Sequence, residues 1–116
     1  MTPPQPFLLV VSMDVEPDSE ELFNEVYDEE HVPTLQKVPG VLSVVRYERQ
    51  ELTLSIGGQV QKMPVLHPRY HAVYEIESPA VLVSDSWAKA VEVGRWPQVR
   101  PFTTNRRHLL AKKRGD

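Results

Sequence analysis

The sequence of 116 residues contains no cysteine. This absence excludes disulfides, thiolate nucleophiles, iron–sulfur clusters and zinc ribbons, so nothing implies an oxidising compartment. The chain also lacks an internal repeat, a P-loop and the G-x-G-x-x-G fingerprint of dinucleotide-binding folds. The organisation of the protein must therefore be inferred from hydrophobic periodicity and from its polar side chains.

Long hydrophobic runs are missing as well. The longest apolar run, residues 7–11, is far too short to span a bilayer. Residues 1–6 contain no basic side chain of the kind that begins a secretory signal. We therefore expect a cytoplasmic protein that makes no contact with a membrane.

The composition is that of an ordinary soluble domain, with 41% hydrophobic residues, 25% charged residues and a net charge of −3. A chain of this length forms one domain, so we expect residues 1–116 to be a single unit with its core within about 7–111. Acidic residues concentrate between Asp14 and Glu30, and basic residues between Arg95 and Arg114. Because no nucleic-acid-binding motif accompanies the basic residues, we do not expect nucleic-acid binding.

Periodicity predicts a strand at residues 7–14 followed by a helix. Asp18 is expected to cap this helix, with Glu21 as its capping-box partner. Pro33 is expected to stop or kink the helix near Val32. The apolar arc of this helix consists of Leu22, Phe23, Val26 and Tyr27.

The middle of the chain predicts two further strands, at residues 41–50 and 69–77. Between them, residues 51–66 alternate around Gly57-Gly58 and predict a hairpin extension. The third strand alternates between two sets of side chains. The set suited to a helix-covered face is Tyr70, Ala72, Tyr74 and Ile76, and the opposite set is Arg69, His71, Val73 and Glu75.

The last part of the chain predicts a second helix that begins with Ser78 as its cap and ends before Gly94, and then a strand at residues 102–111. The apolar face of that helix is predicted to contain Ala80, Val83, Ser84, Trp87, Ala90 and Val91. The resulting order, β-α-β-β-α-β, predicts an α+β fold of the ferredoxin-like type with a four-stranded antiparallel sheet. Two helices cover only one face of such a sheet, so we expect a homodimer that covers the other.

Several segments of the chain resemble the dimeric α+β-barrel superfamily, close to its EthD-like branch. They are residues 27–33 (YDEEHVP), 38–41 (VPGV), Tyr47, 94–97 (GRWP) and 99–102 (VRPF). The resemblance covers about residues 7–110. It implies that two ferredoxin-like subunits join their sheets into one barrel that encloses a ligand cavity. Val26 departs from the pattern, because related sequences often have tryptophan there, and so does the 51–66 extension, which could act as a lid.

His31 is the first candidate for chemistry. It lies in the last turn of the predicted first helix, where the macrodipole and the preceding acids favour imidazolium unless burial opposes them. Asp28 and Tyr27 lie on adjoining surface, so the carboxylate could orient the ring while its other nitrogen faces a ligand. The alternative is a histidine that only caps the helix. The resemblance supports the first interpretation, because this segment lies near the cavity in that superfamily.

Glu30 falls in the middle of the apolar arc, so its carboxylate must point at the sheet or escape through an irregularity at the helix end. If it is buried it needs a partner, for which Arg46, His71 and Arg106 are the candidates. A structural ion pair and a general base with a tuned pKa are both open.

His67, His71 and Glu75 share one side of a strand, but four residues along a strand span about 13 Å, so we expect no metal site. His71 alone is a possible proton shuttle on the barrel face, or else an interface hydrogen-bonding group. Trp96 is expected to line the cavity mouth or the dimer seam. Arg100 is expected to bind a ligand carboxylate or phenolate, or to pair with the acidic first helix.

We therefore expect a cofactor-independent enzyme that binds a small hydrophobic, oxygenated or aromatic molecule. Acid/base chemistry such as isomerisation, cyclisation or carbon–carbon cleavage would use His31, assisted by His71 or Tyr47. Substrate-binding candidates are Tyr27, Asp28, Glu30, Arg46, Trp96 and Arg100. A cofactor-free monooxygenase and a non-catalytic ligand-binding protein remain open alternatives, and an interaction module that uses the basic tail is a more distant one.

Overall fold

A four-stranded antiparallel sheet forms the centre of the protein. The structure, a computed structural model, describes residues 6–115. The strands are β1 (Phe7–Val15), β2 (Val41–Glu48), β3 (Thr53–Ile56), β4 (Gln59–Lys62), β5 (Tyr70–Ile76) and β6 (Thr103–Lys112). The sheet order is β2-β5-β1-β6, while β3 and β4 form a separate two-stranded hairpin. This order and the antiparallel pairing confirm the predicted ferredoxin-like fold.

Short helical segments cover one face of this sheet. They are α1 (Glu20–Val26), α2 (Val32–Gln36), α3 (Asp85–Ala90) and α4 (Trp96–Val99). A π-helical turn, Tyr27–His31, joins α1 to α2, and 3₁₀ turns occur at Pro17–Ser19, Pro79–Val83 and Arg100–Phe102. In the part of the chain that the structure describes, no helix is long and apolar enough to cross a membrane.

Strand alternation determines which side chains reach the core. In β5 every second residue is buried, and these are the four residues predicted for the helix-covered face. Leu9, Val11 and Met13 of β1 are buried on the same side. They pack with Phe23 and Val26 of α1, which confirms that this part of the predicted apolar arc faces the sheet, whereas Leu22 of the same arc is 42% exposed.

The first helix continues past Pro33, where a stop or kink was expected. Within the π turn the Val32 N–H donates to the Tyr27 carbonyl, five residues earlier. The wider turn lets Pro33, which has no N–H, lie in the first turn of a new helical segment, where proline is tolerated. The expected Asp18 cap is also wrong, since Asp18 lies inside a 3₁₀ turn and Ser19 precedes α1 without a side-chain cap bond.

The predicted second helix is interrupted. Ser84 has an extended backbone, and its hydroxyl accepts a hydrogen bond from the Trp87 N–H, so it caps α3 and does not belong to a helix face. Val83 is 86% exposed for the same reason. The segment α4 was not predicted at all. A local capping bond at Ser84 therefore overrides the continuous apolar pattern that the sequence suggests.

The hairpin of β3 and β4 confirms the predicted extension. Gly57 and Gly58 both have positive φ, of 60° and 83°, which is the requirement of a two-residue type I′ turn. No residue of this hairpin lines the His31 pocket described below, so the expected role as a lid is not supported within one subunit.

Candidate active site

A pocket of about 510 Å³ lies between the helix-covered face of the sheet and the helical layer. This size falls within the range of small-molecule sites. Its apolar and aromatic lining consists of Leu9, Val11, Met13, Tyr27, Leu35, Tyr74, Leu82, Trp87, Val91 and Trp96. Its ionisable lining consists of His31, Glu92, Arg100, Arg106 and His108. A few polar groups in an apolar pocket are typical of a binding or catalytic site.

A second cavity of about 390 Å³ lies between the end of β2 and the hairpin. Its charged lining consists of Glu48, Arg49, Glu51 and Arg69, and it contains no histidine. Two of these residues, Arg69 and Glu48, pair with each other at 3.2 Å. We therefore place the candidate chemistry in the pocket that contains His31.

His31 is buried in this pocket and is only 5% exposed. Its ring stacks on Trp96, with centroids 4.4 Å apart and an angle of 21° between the planes. Tyr27 contacts it edge-on at 5.0 Å. The Nδ1 atom is buried without a hydrogen-bond partner among residues 6–115. Because Nδ1 is enclosed, a ligand in the pocket can exchange a proton with His31 only at Nε2.

The charge state of His31 differs from the helix-dipole expectation. Burial, together with the positive charges of Arg100 and Arg46, lowers the pKa of His31 to about 4. The C-terminal end of a helix favours a cation only where it remains hydrated, and here the helix continues into α2. His31 is therefore a neutral imidazole at neutral pH.

Asp28 does not orient His31, contrary to the sequence expectation. Its carboxylate accepts a hydrogen bond from Arg46 Nη1 at 2.6 Å, and its side chain is 62% exposed. The Arg46 guanidinium also donates through Nη2 to Asn24 Oδ1 at 2.9 Å, and it lies over the Tyr27 ring, 4.5 Å from the centroid. Arg46 and Asp28 thus support the outer side of Tyr27 and do not line the pocket.

The sequence allowed the Glu30 carboxylate either to point at the sheet or to leave the apolar arc through an irregularity at the helix end. The π turn is such an irregularity, and Glu30 leaves the arc there. Its partner is Arg95, which none of the proposed pairings included. The backbone N–H of Arg95 donates to Glu30 Oε1 at 2.9 Å, and its side-chain Nε donates to Glu30 Oε2 at 2.6 Å. These bonds hold the pKa of Glu30 below its usual value. The pair fixes the turn that precedes Trp96, so Glu30 positions the pocket wall from outside.

Gly94 makes this close approach possible. Its φ is +73°, and a Cβ atom there would lie 2.5 Å from Glu30 Oε1. Only glycine adopts this backbone conformation without strain and leaves room for the carboxylate. The prediction that Gly94 terminates the second helix is wrong, since α3 already ends at Ala90; Gly94 instead leaves room for the Glu30 carboxylate.

Two phenols form the inner wall of the pocket. The hydroxyls of Tyr27 and Tyr74 are hydrogen-bonded at 3.1 Å, and both side chains are 2% exposed. Burial raises the pKa of both phenols, so they are neutral hydrogen-bond donors at neutral pH. Tyr27 was predicted as a ligand-binding residue, and the structure places it in the pocket lining.

Arg100 also lines the pocket, but it does not pair with the acidic first helix. Its Nη2 donates to the Val91 carbonyl at 2.9 Å and to Glu92 at 3.0 Å. Glu92 follows the end of α3 and Arg100 follows the end of α4, so this ion pair connects the two helix ends. The sequence could not show this pair, because α4 was not predicted. Trp96 was expected at the cavity mouth or the dimer seam, and it lines the pocket as a buried residue, 3% exposed.

His71 and Tyr47 lie on the opposite face of the sheet from His31. They are register partners on β5 and β2, and Tyr47 is 57% exposed. His71 Nδ1 is hydrogen-bonded to Ser12 Oγ at 2.7 Å. The expectation that either residue assists His31 at one site therefore needs correction, because the sheet separates them within the subunit.

Sequence reasoning missed Arg95 as the partner of Glu30, and it did not assign to the pocket Tyr74, Trp87, Glu92, Arg106 or His108. Arg106 and His108 lie on the same side of β6, because His108 is the register partner of the buried Val11. The alternation of side chains along β6 could have placed both residues on this side, but only if the register of β6 against β1 had been known.

The depressed pKa of His31 predicts a pH-dependent stability. Between pH 6.5 and 4 the unfolded chain binds a proton at this residue while the folded chain does not, so the free energy of unfolding falls as pH decreases. The expected loss is about 3 kcal/mol from pH 7 to pH 4. Denaturant unfolding of the wild type and His31→Phe across this range measures it, and parallel pH curves for the two proteins would contradict the prediction.

No protein-family model matches the chain, and a search of curated proteins gives no match. Solved structures do match. An EthD family protein from Bacillus halodurans is 12% identical, with a TM-score of 0.56, and the alignment covers 92% of this chain and 98% of that one. The haem-degrader MhuD from Mycobacterium tuberculosis, with two haems in its active site, is 16% identical, with a TM-score of 0.57 and coverage of 96% and 98%. At these identities the similarity concerns the fold alone, and it confirms that this chain has the ferredoxin-like α+β fold that these solved structures share.

Proposed function

We propose that this protein is a small-molecule enzyme that uses His31 as the base in cofactor-independent proton transfer. The observation that carries the proposal is a buried, neutral imidazole in an apolar pocket of ligand size. The neutral ring is available as a base over the whole physiological pH range. The expected substrate is hydrophobic, oxygenated or aromatic, and the reaction an isomerisation, cyclisation or carbon–carbon cleavage that begins by enolisation.

In the first step a proton on the carbon next to a carbonyl group moves to His31 Nε2. The electron pair of the broken C–H bond forms a C=C bond, and the π pair of the carbonyl group moves to its oxygen. The product is an enolate beside an imidazolium. Opposite charges at close range attract strongly in an apolar pocket, so the forming enolate raises the basicity of His31 as the proton moves. The buried Tyr27 and Tyr74 hydroxyls lie on the same wall, and because one donates to the other, one phenolic O–H is left to donate to the enolate oxygen.

Haem is the ligand of MhuD in the matching structure, but the residues here fit it poorly. A histidine that binds a metal through one ring nitrogen almost always donates its other N–H to an acceptor. His31 Nδ1 is buried and has no such acceptor among residues 6–115. We therefore derive no step that uses haem. Titration of the protein with haem, followed by the absorption spectrum of the His31→Ala variant, tests this conclusion.

Deuterium exchange tests the proposed proton transfer without knowledge of the natural substrate. A panel of aromatic 1,3-diketones, β-keto esters and lactones is incubated with the protein in deuterium oxide, and exchange at the acidic carbon is followed by NMR. We expect at least one compound to exchange faster than in buffer. Binding of the panel without acceleration would favour the ligand-binding alternative, and oxygen consumption with an accepted compound would favour the monooxygenase alternative.

We also propose that the uncovered sheet face forms a homodimer, which the α+β-barrel resemblance implies. Four side chains on this face are large, apolar or aromatic, and partly exposed: Leu8 (36%), Val45 (45%), Tyr47 (57%) and Leu109 (60%). Exposed apolar patches of this kind mark interaction surfaces. A second copy offers the same face, so an isologous pairing buries both.

Light scattering at micromolar concentration is expected to give about twice the 13.3 kDa of one chain. Val45→Glu is expected to shift the protein to the monomer, because the new carboxylate would be buried unpaired in the interface. Val83→Glu is the matched control, since Val83 is 86% exposed and lies outside the sheet. A wild-type monomer would contradict the proposal, as would equal dissociation by both variants.

A further inference from the structure

The ionisable side of the pocket is cationic, and from this we propose that its ligand carries an anionic oxygen group, such as a carboxylate, on an apolar aromatic body. This inference rests on the proposed function, because it concerns the same pocket, and it specifies the class of substrate. The sequence alone did not distinguish a neutral from an anionic ligand.

The charge balance of the lining is the first argument. Arg100 and Arg106 are positive, and Glu92 is the one acid in the lining. Glu92 pairs with Arg100 at 3.0 Å. Arg106 has no ion pair within the described residues 6–115. Burial also lowers the pKa of His108, so with His31 and His108 both neutral at pH 7 the pocket carries one uncompensated positive charge.

The geometry of Arg106 is the second argument. It lies on β6 two residues before His108, whose register partner Val11 is buried on the helix-covered face, so Arg106 projects to the same side. An apolar body in the pocket would lie on Leu9, Val11 and Met13 of β1. A charged group on that body would then meet the guanidinium of the neighbouring strand, which binds a carboxylate through two parallel hydrogen bonds.

The electric field inside the pocket is the third argument. Arg106 acts on two other lining residues. Burial lowers the pKa of His108, and the charge of Arg106 lowers it further; the same charge opposes the rise that burial causes in the pKa of Tyr27. Arg100 acts in the same sense on His31. Three groups, two in the π turn and one on β6, thus experience an excess of positive charge. An anion would relieve it, while a neutral ligand would leave Arg106 uncompensated.

A matched pair of probes tests the inference. Naphthoate and naphthamide have the same aromatic body, but only the first is anionic at pH 7. Calorimetric titration measures both affinities, and quenching of tryptophan fluorescence reports the location, because both tryptophans of the chain, Trp87 and Trp96, line the pocket. We expect naphthoate to bind about tenfold more tightly than naphthamide, as one charge-assisted contact provides.

Arg106→Gln is expected to abolish this tenfold preference and leave naphthamide binding unchanged. Arg107→Gln is the matched control, because Arg107 has the same charge but pairs in register with Ser12 and projects to the opposite face. The inference is overturned if both probes bind equally, or if the two variants reduce naphthoate binding equally. Equal binding would leave the proposed pocket function intact, whereas failure of both probes to bind would overturn the pocket function as well.

Discussion

Replacement of His31 by alanine is expected to lower the protein-catalysed deuterium exchange by roughly 10²–10⁴-fold, which is the usual contribution of a general base. This corresponds to about 3–5 kcal/mol of activation free energy. The loss arises because His31 is the buried neutral imidazole of the pocket, while the two tyrosine hydroxyls on the inner wall are bonded to each other and remain protonated.

The stability of His31→Ala is expected to change far less. The substitution removes the stacking contact with Trp96, but it also removes a buried nitrogen that has no hydrogen-bond partner. These two contributions have opposite signs, so the net change in the free energy of unfolding is expected to stay within about 1 kcal/mol at neutral pH. A fall in activity without a matching fall in stability separates a catalytic group from a structural one.

His71→Ala is the matched control for this experiment. His71 is a histidine on β5, on the face of the sheet away from the pocket, and it bonds to Ser12. We expect its exchange rate to remain within a factor of two or so of the wild type, since it does not reach the ligand. The assignment of the base to His31 is wrong if His71→Ala abolishes exchange while His31→Ala retains it.

Replacement of Trp96 by alanine is expected to have the largest effect on stability. The side chain is 3% exposed and contacts three aromatic rings, those of Phe23, Tyr27 and His31, at centroid distances of 6.1, 5.0 and 4.4 Å. Removal of a buried indole typically costs about 3–5 kcal/mol, because the transfer free energy is lost and a cavity remains. Chemical denaturation at pH 7 measures this loss as a decrease in the midpoint.

Trp87→Ala is the control for Trp96→Ala, because Trp87 lines the same pocket but is only half-buried. Its aromatic contact is with Tyr74, at a centroid distance of 5.6 Å. The expected loss is therefore smaller, below about 2 kcal/mol. If Trp87→Ala destabilised the protein as much as Trp96→Ala, the aromatic cluster around His31 would not be the centre of the core.

The position of His31 in this cluster suggests a conflict between stability and function. A phenylalanine at this position would keep the stacking on Trp96 and would leave no buried nitrogen unpartnered. His31→Phe should therefore be at least as stable as the wild type, and more stable at acidic pH, while it lacks the base. Active-site groups often retain such a cost because the activity requires it.

The sequence predicted the ferredoxin-like order, the two faces of β5 and the hairpin turn at Gly57 and Gly58. These features are local in origin. Strand alternation has a period of two residues, and a two-residue turn requires backbone conformations that glycine provides, so neither depends on distant contacts. The segment that contains His31 was also recognised from the sequence.

The tertiary structure alone decided how the site is assembled. The bonds between Glu30 and Arg95 and the pairing of Arg46 with Asp28 join residues that lie far apart in the chain. The ionisation of His31 is the clearest case, because the helix dipole would favour a cation and only burial and nearby arginines make the ring neutral. Local patterns determine which segments form and which side faces inward, whereas pKa values and partners depend on the distances between segments, which the sequence does not contain.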